Sequence, residues 1–319
     1  MPAATISRED DGSRLSIADD LGGLVTSLVL GGREWLFRNE ALPLESRRRP
    51  DLPPGARRTA YADLGDCGLG DICFPTVGAE AVRLPDGSTR ELLDHGMLWS
   101  QPASTRADAP ASATTTWQAQ DGDLAFTFRR TLTLQGGGRL AAALSVVNTG
   151  QAPLPHFWSS HDMVALTGET RLELPPGTPF RVFSAHGLGP TPGVNLWPML
   201  SVVGGAGLDL SHPAAARAAL GRDFAVKIFS VKDCGPLAVR EGDRSLELDG
   251  PGTRAGVWLN WGGWAPDAVK ARGVRYKSLC PERCIGGPTD LPSEGLALGA
   301  TRWIHPGESR EWSLRYRAA

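Results

Sequence analysis

The sequence predicts an all-β protein, and three observations carry that prediction. Glycine and proline are abundant, at 39 and 25 of 319 residues. Most of them stand between short apolar or alternating runs, as expected where many strands are joined by turns. Stretches with helical periodicity are scarce, since apolar residues rarely recur three and four apart.

Taken in order, the first strands are expected at Arg14–Ile17 and Leu24–Leu30, the second closed by Gly31-Gly32, with Glu34–Phe37 resuming after that turn. Residues 43–60 are rich in Arg and Pro without periodicity, and read as a solvated surface loop. Asp63–Val77 carries glycines at 65, 68 and 70 but no Walker lysine and no helix pattern behind it, so a phosphate cradle is rejected. It reads as an acidic loop shaped to approach a ligand. Leu124–Leu134 alternates as a half-buried strand, Gly136–Gly138 turns it, and Leu140–Val147 returns to the turn Asn148–Gly150.

Thr170–Leu174 closes on Pro175–Gly177, and residues 185–222 read as a long irregular segment. That segment holds one short helix, Pro213–Leu220, with Ser211 as its expected cap. Strands resume at Phe224–Ser230, Ser245–Leu248 and Gly256–Leu259. A loop is expected over Leu279–Leu291, then strands at Ala300–Ile304 and Trp312–Tyr316. Repeats and linker-like compositions are not evident, so residues 1–319 read as one domain.

Composition narrows the function classes. Hydrophobic residues make up 41% and charged residues 21%, with 33 basic against 35 acidic side chains and a net charge of −2. That balance favours neither nucleic acid nor an anionic membrane as partner. No window approaches the roughly 18 apolar residues of a membrane span. The start, MPAATISREDDGSRLS, lacks a signal peptide's apolar core, so a cytoplasmic address is expected. The five cysteines (Cys67, Cys73, Cys234, Cys280, Cys284) are odd in number and lack zinc-knuckle spacing; they read as reduced, mostly buried thiols.

The stretch with most chemical content is Pro155–Leu166, PHFWSSHDMVAL. Phe157 and Trp158 set a broad apolar surface beside His161, which titrates near neutrality with an ordinary pKa of about 6.5. A sugar lays C–H faces on aromatic rings while its hydroxyls take polar partners, so this pairing suits one. A half-buried histidine bonded to backbone is the alternative. His156 and His161 are five apart, which puts them on opposite faces of a strand or roughly 140° apart on a helix at ~100° per residue. Neither geometry makes a metal pair, and no metal or other cofactor is expected. A Ser–His–Asp triad stays open, although the chain has no Gly-x-Ser-x-Gly elbow. Glu282, between Pro281 and a Gly-Gly-Pro segment, is the remaining candidate, read as a carboxylate on irregular backbone or as a plain surface residue.

Four segments in order resemble the aldose 1-epimerase (galactose mutarotase-like) superfamily. GDICFPTV (Gly70–Val77) is similar to its Gly-Trp-Asp-Glu-x-Phe-Pro-Thr segment, with Asp71 on the Asp and Ile72 in place of the Glu. DHGMLWS (Asp94–Ser100) resembles the segment of the first active-site histidine, here His95. PHFWSSHDMVAL resembles that of the catalytic histidine, here His161. GVWLNWGGW (Gly256–Trp264) followed by PERCIGGPTDL resembles the run that ends on the catalytic carboxylate, here Glu282. The ending HPGESREWSLRY is similar to the family's closing strand. The chain departs from the pattern in reading Glu282-Arg283 for Glu-Pro and in lacking the early Gly-Arg-x-x-Asn-Arg segment.

The resemblance implies an antiparallel β-supersandwich whose concave sheet holds a monosaccharide, needing no cofactor, in a monomer or homodimer. It further implies interconversion of α and β anomers: Glu282 as base, His161 as acid, and His95 as a hydrogen-bond donor to the ring oxygen. Trp158 and Trp258 are expected as stacking surfaces, and Asp71 and Lys227 as contacts to hydroxyl or anionic groups. Three rival readings remain. One is a non-catalytic sugar-binding protein of the same fold. Another is an epimerase on a phosphorylated or sulfonated sugar, using Lys227, Arg283 or the arginines of 47–58. The third is a glycoside hydrolase, which needs a second carboxylate such as Asp162 at about 5–9.5 Å.

Overall fold

The computed structural model describes residues 3–42, 44, 61, 67–84, 87–191, 193–202, 205, 207–274, 276–286 and 303–319. Alternation of side chains decides which face each strand buries. In Leu124–Leu134 every second residue from Leu124 is buried, and Arg139–Asn148 beside it alternates likewise. These two strands belong to an antiparallel sheet of eight, ordered Thr170–Glu173, Leu237–Glu241, Arg244–Asp249, Ser309–Ala318, Arg139–Asn148, Leu124–Leu134, Ser112–Asp121 and Ala103–Ala109.

Among the described residues the facing sheet has thirteen strands, one of which, Arg33–Glu34, pairs with Leu24–Leu30 off the main path. From one edge it runs Ala4–Arg8, Ser13–Ala18, Leu24–Leu30, Gly70–Cys73, Trp158–Asp162, Lys277–Ile285, Arg254–Trp261, Ala225–Ser230 and Pro179–His186. Three short strands within residues 194–209 extend it. Its central strands differ from those of the smaller sheet. Gly70–Cys73, Trp158–Asp162 and Ala225–Ser230 are buried at every position, so both faces of the sheet are covered there.

One face forms the core between the sheets, where Trp158 and Phe128 both lie against Trp312, at ring-centroid distances of 5.5 and 5.6 Å. Burying each such large side chain contributes on the order of 1.5–3 kcal/mol. Two polar contacts in this core are short. Tyr316 donates its hydroxyl to Asp162 Oδ2 at 2.5 Å, and Arg130 donates to Gly23 O at 2.6 Å. The antiparallel sandwich with little helix is thus the observed architecture, and among the described residues no helix is long and apolar enough to cross a membrane.

Several local expectations change. Leu279–Ile285 is not loop but the greater part of the Lys277–Ile285 strand, so Glu282 stands on regular backbone in the middle of the large sheet. Its neighbours explain this: β-branched, apolar and cysteine side chains can be buried on both faces. Gly70–Cys73, within the expected ligand loop, is also a strand. Pro179–His186 and the short strands after it reach into the segment expected to be irregular. The helix Pro213–Leu220 is present, but His212 rather than Ser211 occupies its cap position, because Ser211 Oγ is bonded to Asp209 and His212. Residues 45–60 and 287–300, including the expected basic loop and the end of the Leu279–Leu291 segment, lie outside the described residues.

Candidate functional site

The face of the large sheet turned away from the core gathers the chemistry. In Trp158–Asp162, Ser159 and His161 alternate onto this face while Trp158, Ser160 and Asp162 turn inward. His161 pairs with Asp71 on one side, and Ser159 with Cys73. On the other side Ser159 pairs with Cys284 and Val164 with Leu279, a register that sets His161 level with Glu282. Glu282 then pairs with Gly256, and Lys227 lies across Trp258 from Cys280. A ring nitrogen of His161, the Cys280 thiol and a Glu282 carboxylate oxygen all fall within 4.8 Å of one another.

Glu282 is 0% exposed, and both of its oxygens are engaged. Lys227 Nζ donates to Oε1 and Ser159 Oγ donates to Oε2 at 2.9 Å. Burial pushes this carboxyl up, but the Lys227 ammonium and His161, with the bonds from Lys227 and Ser159, outweigh it and hold the pKa below the usual glutamate value. Burial correspondingly pushes Lys227 down, and Glu282 more than restores it. The pair is an ammonium and a carboxylate at neutral pH. Gly256 makes room for it: a Cβ there would sit 2.7 Å from the Phe229 ring and 3.0 Å from Glu282 Oε2.

Above this layer lies a cavity of about 260 Å³, near the small end of the ~300–1,000 Å³ range of ligand pockets. Tyr61, His95, His161, Lys227, Trp258 and Trp264 line it, with Asp94, Phe183 and His186 also at its wall. Glu282 is not among the lining residues, but Lys227, which is, donates to its carboxylate. Trp258 and Trp264 meet edge to face at 5.7 Å, and Trp258 donates to Ser278 Oγ at 3.2 Å, which fixes one aromatic wall.

The two histidine rings lie 5.1 Å apart. Tyr61 stacks on His95 at 3.7 Å, and its hydroxyl lies 3.3 Å from His161 Nδ1 and donates to Asp71 Oδ2 at 3.4 Å. His95 adopts φ 57, a left-handed conformation that costs a side-chain-bearing residue energy and often marks function. Asp94 Oδ1, 2.9 Å from His95 Nδ1, holds that ring in place. Burial, with His95 close by, pushes the His161 imidazole down to about 4, so it is neutral at pH 7.

Of the residues expected at the site, His95, His161, Lys227 and Trp258 meet at the cavity, with Glu282 directly beneath. Asp71 reaches it through Tyr61. Trp158 does not: it is 1% exposed and faces the core. Arg283 is also directed away, donating to the carbonyls of Gly235, Cys234 and Thr253 at 2.9 Å each. Asp162 faces the core against Tyr316 and is no partner for Glu282 across a glycosidic bond. The thiols of Cys73, Cys280 and Cys284 border the carboxylate as neutral groups, all pushed up by burial. Cys73, Cys234, Cys280 and Cys284 carry free thiols.

Tyr61, Asp94 and Ser159 were not singled out by the sequence. Ser159 was accessible by alternation from His161, whereas Tyr61 follows the aperiodic 43–60 run and has no local signal. A larger groove of about 780 Å³ lies on the outer face of the smaller sheet. Its serines, threonines and arginines form no acid–base group comparable to that around His161.

No protein-family profile matches the chain, and no curated protein matches it in sequence. Solved structures do. The Slr1438 protein of Synechocystis superposes with a TM-score of 0.67 at 17% identity, covering 100% of this chain and 96% of that one. A galactose mutarotase-like protein from Lactobacillus casei gives 0.64 at 15%, over 99% of both chains. The GalM/aldose epimerase homologue of C. elegans gives 0.61 at 13%, over 99% and 98%. At these identities the likeness is one of architecture, and it extends over the whole length of the chain: this protein has the fold of the aldose 1-epimerase (galactose mutarotase-like) superfamily.

Proposed function

We propose that the chain is an aldose 1-epimerase-like isomerase that interconverts the α and β anomers of an uncharged aldose. The observation that carries this is one aromatic-walled cavity bringing His95, His161 and Lys227 together directly over the Glu282 carboxylate. Ring opening needs a base for the C1 hydroxyl proton and a proton donor at the ring oxygen. Glu282, held ionised, is the base. His161, the acid expected from the motifs, shares the cavity wall with His95 and Lys227, which supports a proton donor for the ring oxygen on this wall. Trp258 and Trp264 offer flat surface to the sugar's C–H face.

Charge argues for an uncharged substrate. Lys227 is the single lysine or arginine among the described lining residues, and Glu282 already answers its charge. A phosphate or sulfonate would enter beside Asp94 without a free cation among the described lining residues to receive it. A binding-only protein is the second reading, favoured by the same ion pair, because Lys227 occupies the carboxylate oxygen that a base would use.

Polarimetry on freshly dissolved α-D-glucose, α-D-galactose and their methyl glycosides tests the proposal. Wild type should speed the rotation change of the free sugars, and Glu282→Gln should lose about 10²–10⁴-fold. Methyl glycosides, which cannot open, should compete without reacting. Sugar binding without any acceleration would support the binder instead.

A further inference from the structure

Two features of the cavity do not fit a plain Glu–His acid–base pair. His161 is 5% exposed, and the nearby His95 and Lys227 add to burial in keeping it uncharged. Lys227 lines the cavity and its ammonium bonds the Glu282 carboxylate, which is fully buried and does not line it.

We propose that Lys227 is a catalytic residue, its ammonium protonating the ring oxygen while Glu282 takes the C1 hydroxyl proton, the sugar entering between the two. This rests on the epimerase reading above and names its proton donor. On binding, Nζ exchanges Glu282 Oε1 for the ring oxygen, and Oε1 turns to the C1 hydroxyl. The C1–O5 bond breaks with its electron pair going to O5, which receives a proton from Nζ. The C1 hydroxyl proton passes to Oε1 as the C1=O1 double bond forms. The site now holds an amine and a carboxylic acid in place of ammonium and carboxylate. After rotation about C1–C2, closure on the other face reverses both transfers, so protons and electrons balance without a co-reactant.

The surroundings support this exchange. Burial alone drives a lysine down and a carboxyl up, and their mutual contact is the largest effect sending them apart. A sugar that separates them removes that contact and brings the two proton affinities toward each other, as efficient transfer requires. Ser159 keeps its bond to Oε2 and holds the carboxylate in place through the exchange. The other titratable groups facing the pair are Cys280 and Cys284 on the Glu282 strand, Cys73 and Asp71 on the Gly70–Cys73 strand, and His161. Asp94, His95, Tyr61 and His186 complete the cavity wall. The thiols stay protonated, and His161, neutral, serves as an orienting hydrogen-bond partner.

The pH dependence of kcat separates the two donors in wild type, using whichever free aldose of a neutral panel is accelerated. From pH 6 to 9 a lysine donor gives a kcat plateau around neutrality that ends only where the carboxyl gains, or the ammonium loses, its proton in the complex. A His161 donor with pKa about 4 loses close to tenfold per pH unit over that range, and that result would overturn the proposal. Lys227→Arg is the companion variant: guanidinium keeps the ion pair to Glu282 but does not release its proton. It should retain sugar binding while kcat falls at least about 10²-fold; wild-type kcat in this variant would equally overturn the assignment. Acceleration by wild type with either contrary result removes Lys227 alone. Absence of acceleration on every sugar at every pH removes the epimerase reading and this inference with it.

Discussion

Replacing Lys227 by methionine should turn the centre of the large sheet from a paired into an unpaired buried charge. Glu282 is 0% exposed and would keep one strong side-chain donor, Ser159 Oγ at 2.9 Å. Removing one partner of a buried ion pair typically costs about 3–5 kcal/mol. For a chain of this size that corresponds to a fall in Tm of roughly 5–10 °C.

The pH dependence should change sign as well. In the wild type Glu282 titrates below its usual value, so its contribution is present above the unfolded carboxylate range near pH 4–4.5 and is lost as pH falls through the folded value. In Lys227→Met, burial acts without its counter-ion and raises the Glu282 pKa above that range. Its contribution is then full at acid pH and lost as pH rises through the new value. Lys227→Met/Glu282→Gln should recover most of the lost stability at pH 7, since the amide is uncharged and can still accept from Ser159. Thermal melts by circular dichroism between pH 4.5 and 8 measure all three proteins. A single variant within 1 kcal/mol of wild type at pH 7, with no change of slope, would refute the buried-pair account.

Other consequences can be checked with single substitutions. Gly256→Ala places a methyl group against Phe229 and Glu282 Oε2, so kcat should fall at least tenfold while the protein stays folded, measured by polarimetry alongside circular dichroism. Trp158→Ala should cost about 3–5 kcal/mol by denaturant melts without changing KM, because the ring packs in the core. Trp258→Ala should do the reverse, raising KM through loss of a cavity wall, with a smaller effect on stability. Burial pushes Asp162 up to about 6, so its stabilising contribution is full below the unfolded carboxylate range and declines as pH rises through about 6. Asp162→Asn should flatten that part of the wild-type stability curve.

Much of the fold was legible because strand alternation is a local property. Leu24–Leu30 and Leu124–Leu134 have the expected bounds, and so does the helix Pro213–Leu220. Lys277–Ile285 was misread because a strand buried on both faces loses alternation: LCPERCI carries a glutamate and an arginine, each buried through partners distant in sequence. The site was legible in part for the same reason. Motif order located His95, His161 and Glu282, and the parity of WSSHD separates Ser159 and His161 from Trp158, which explains why Trp158 lies in the core. The Lys227–Glu282 contact joins residues 55 apart, and Tyr61 meets His161 across 100. Pairings of that range are fixed by sheet register, which local sequence does not encode.

The central claim, that this cavity opens and recloses a sugar ring over Glu282, is tested most directly by exchange NMR on C1-labelled glucose and galactose. With catalytic amounts of wild type at neutral pH, cross-peaks should link the α and β C1 resonances far faster than in buffer, and Glu282→Gln should return the rate to the buffer value. Wild-type-level cross-peaks in Glu282→Gln would contradict the account.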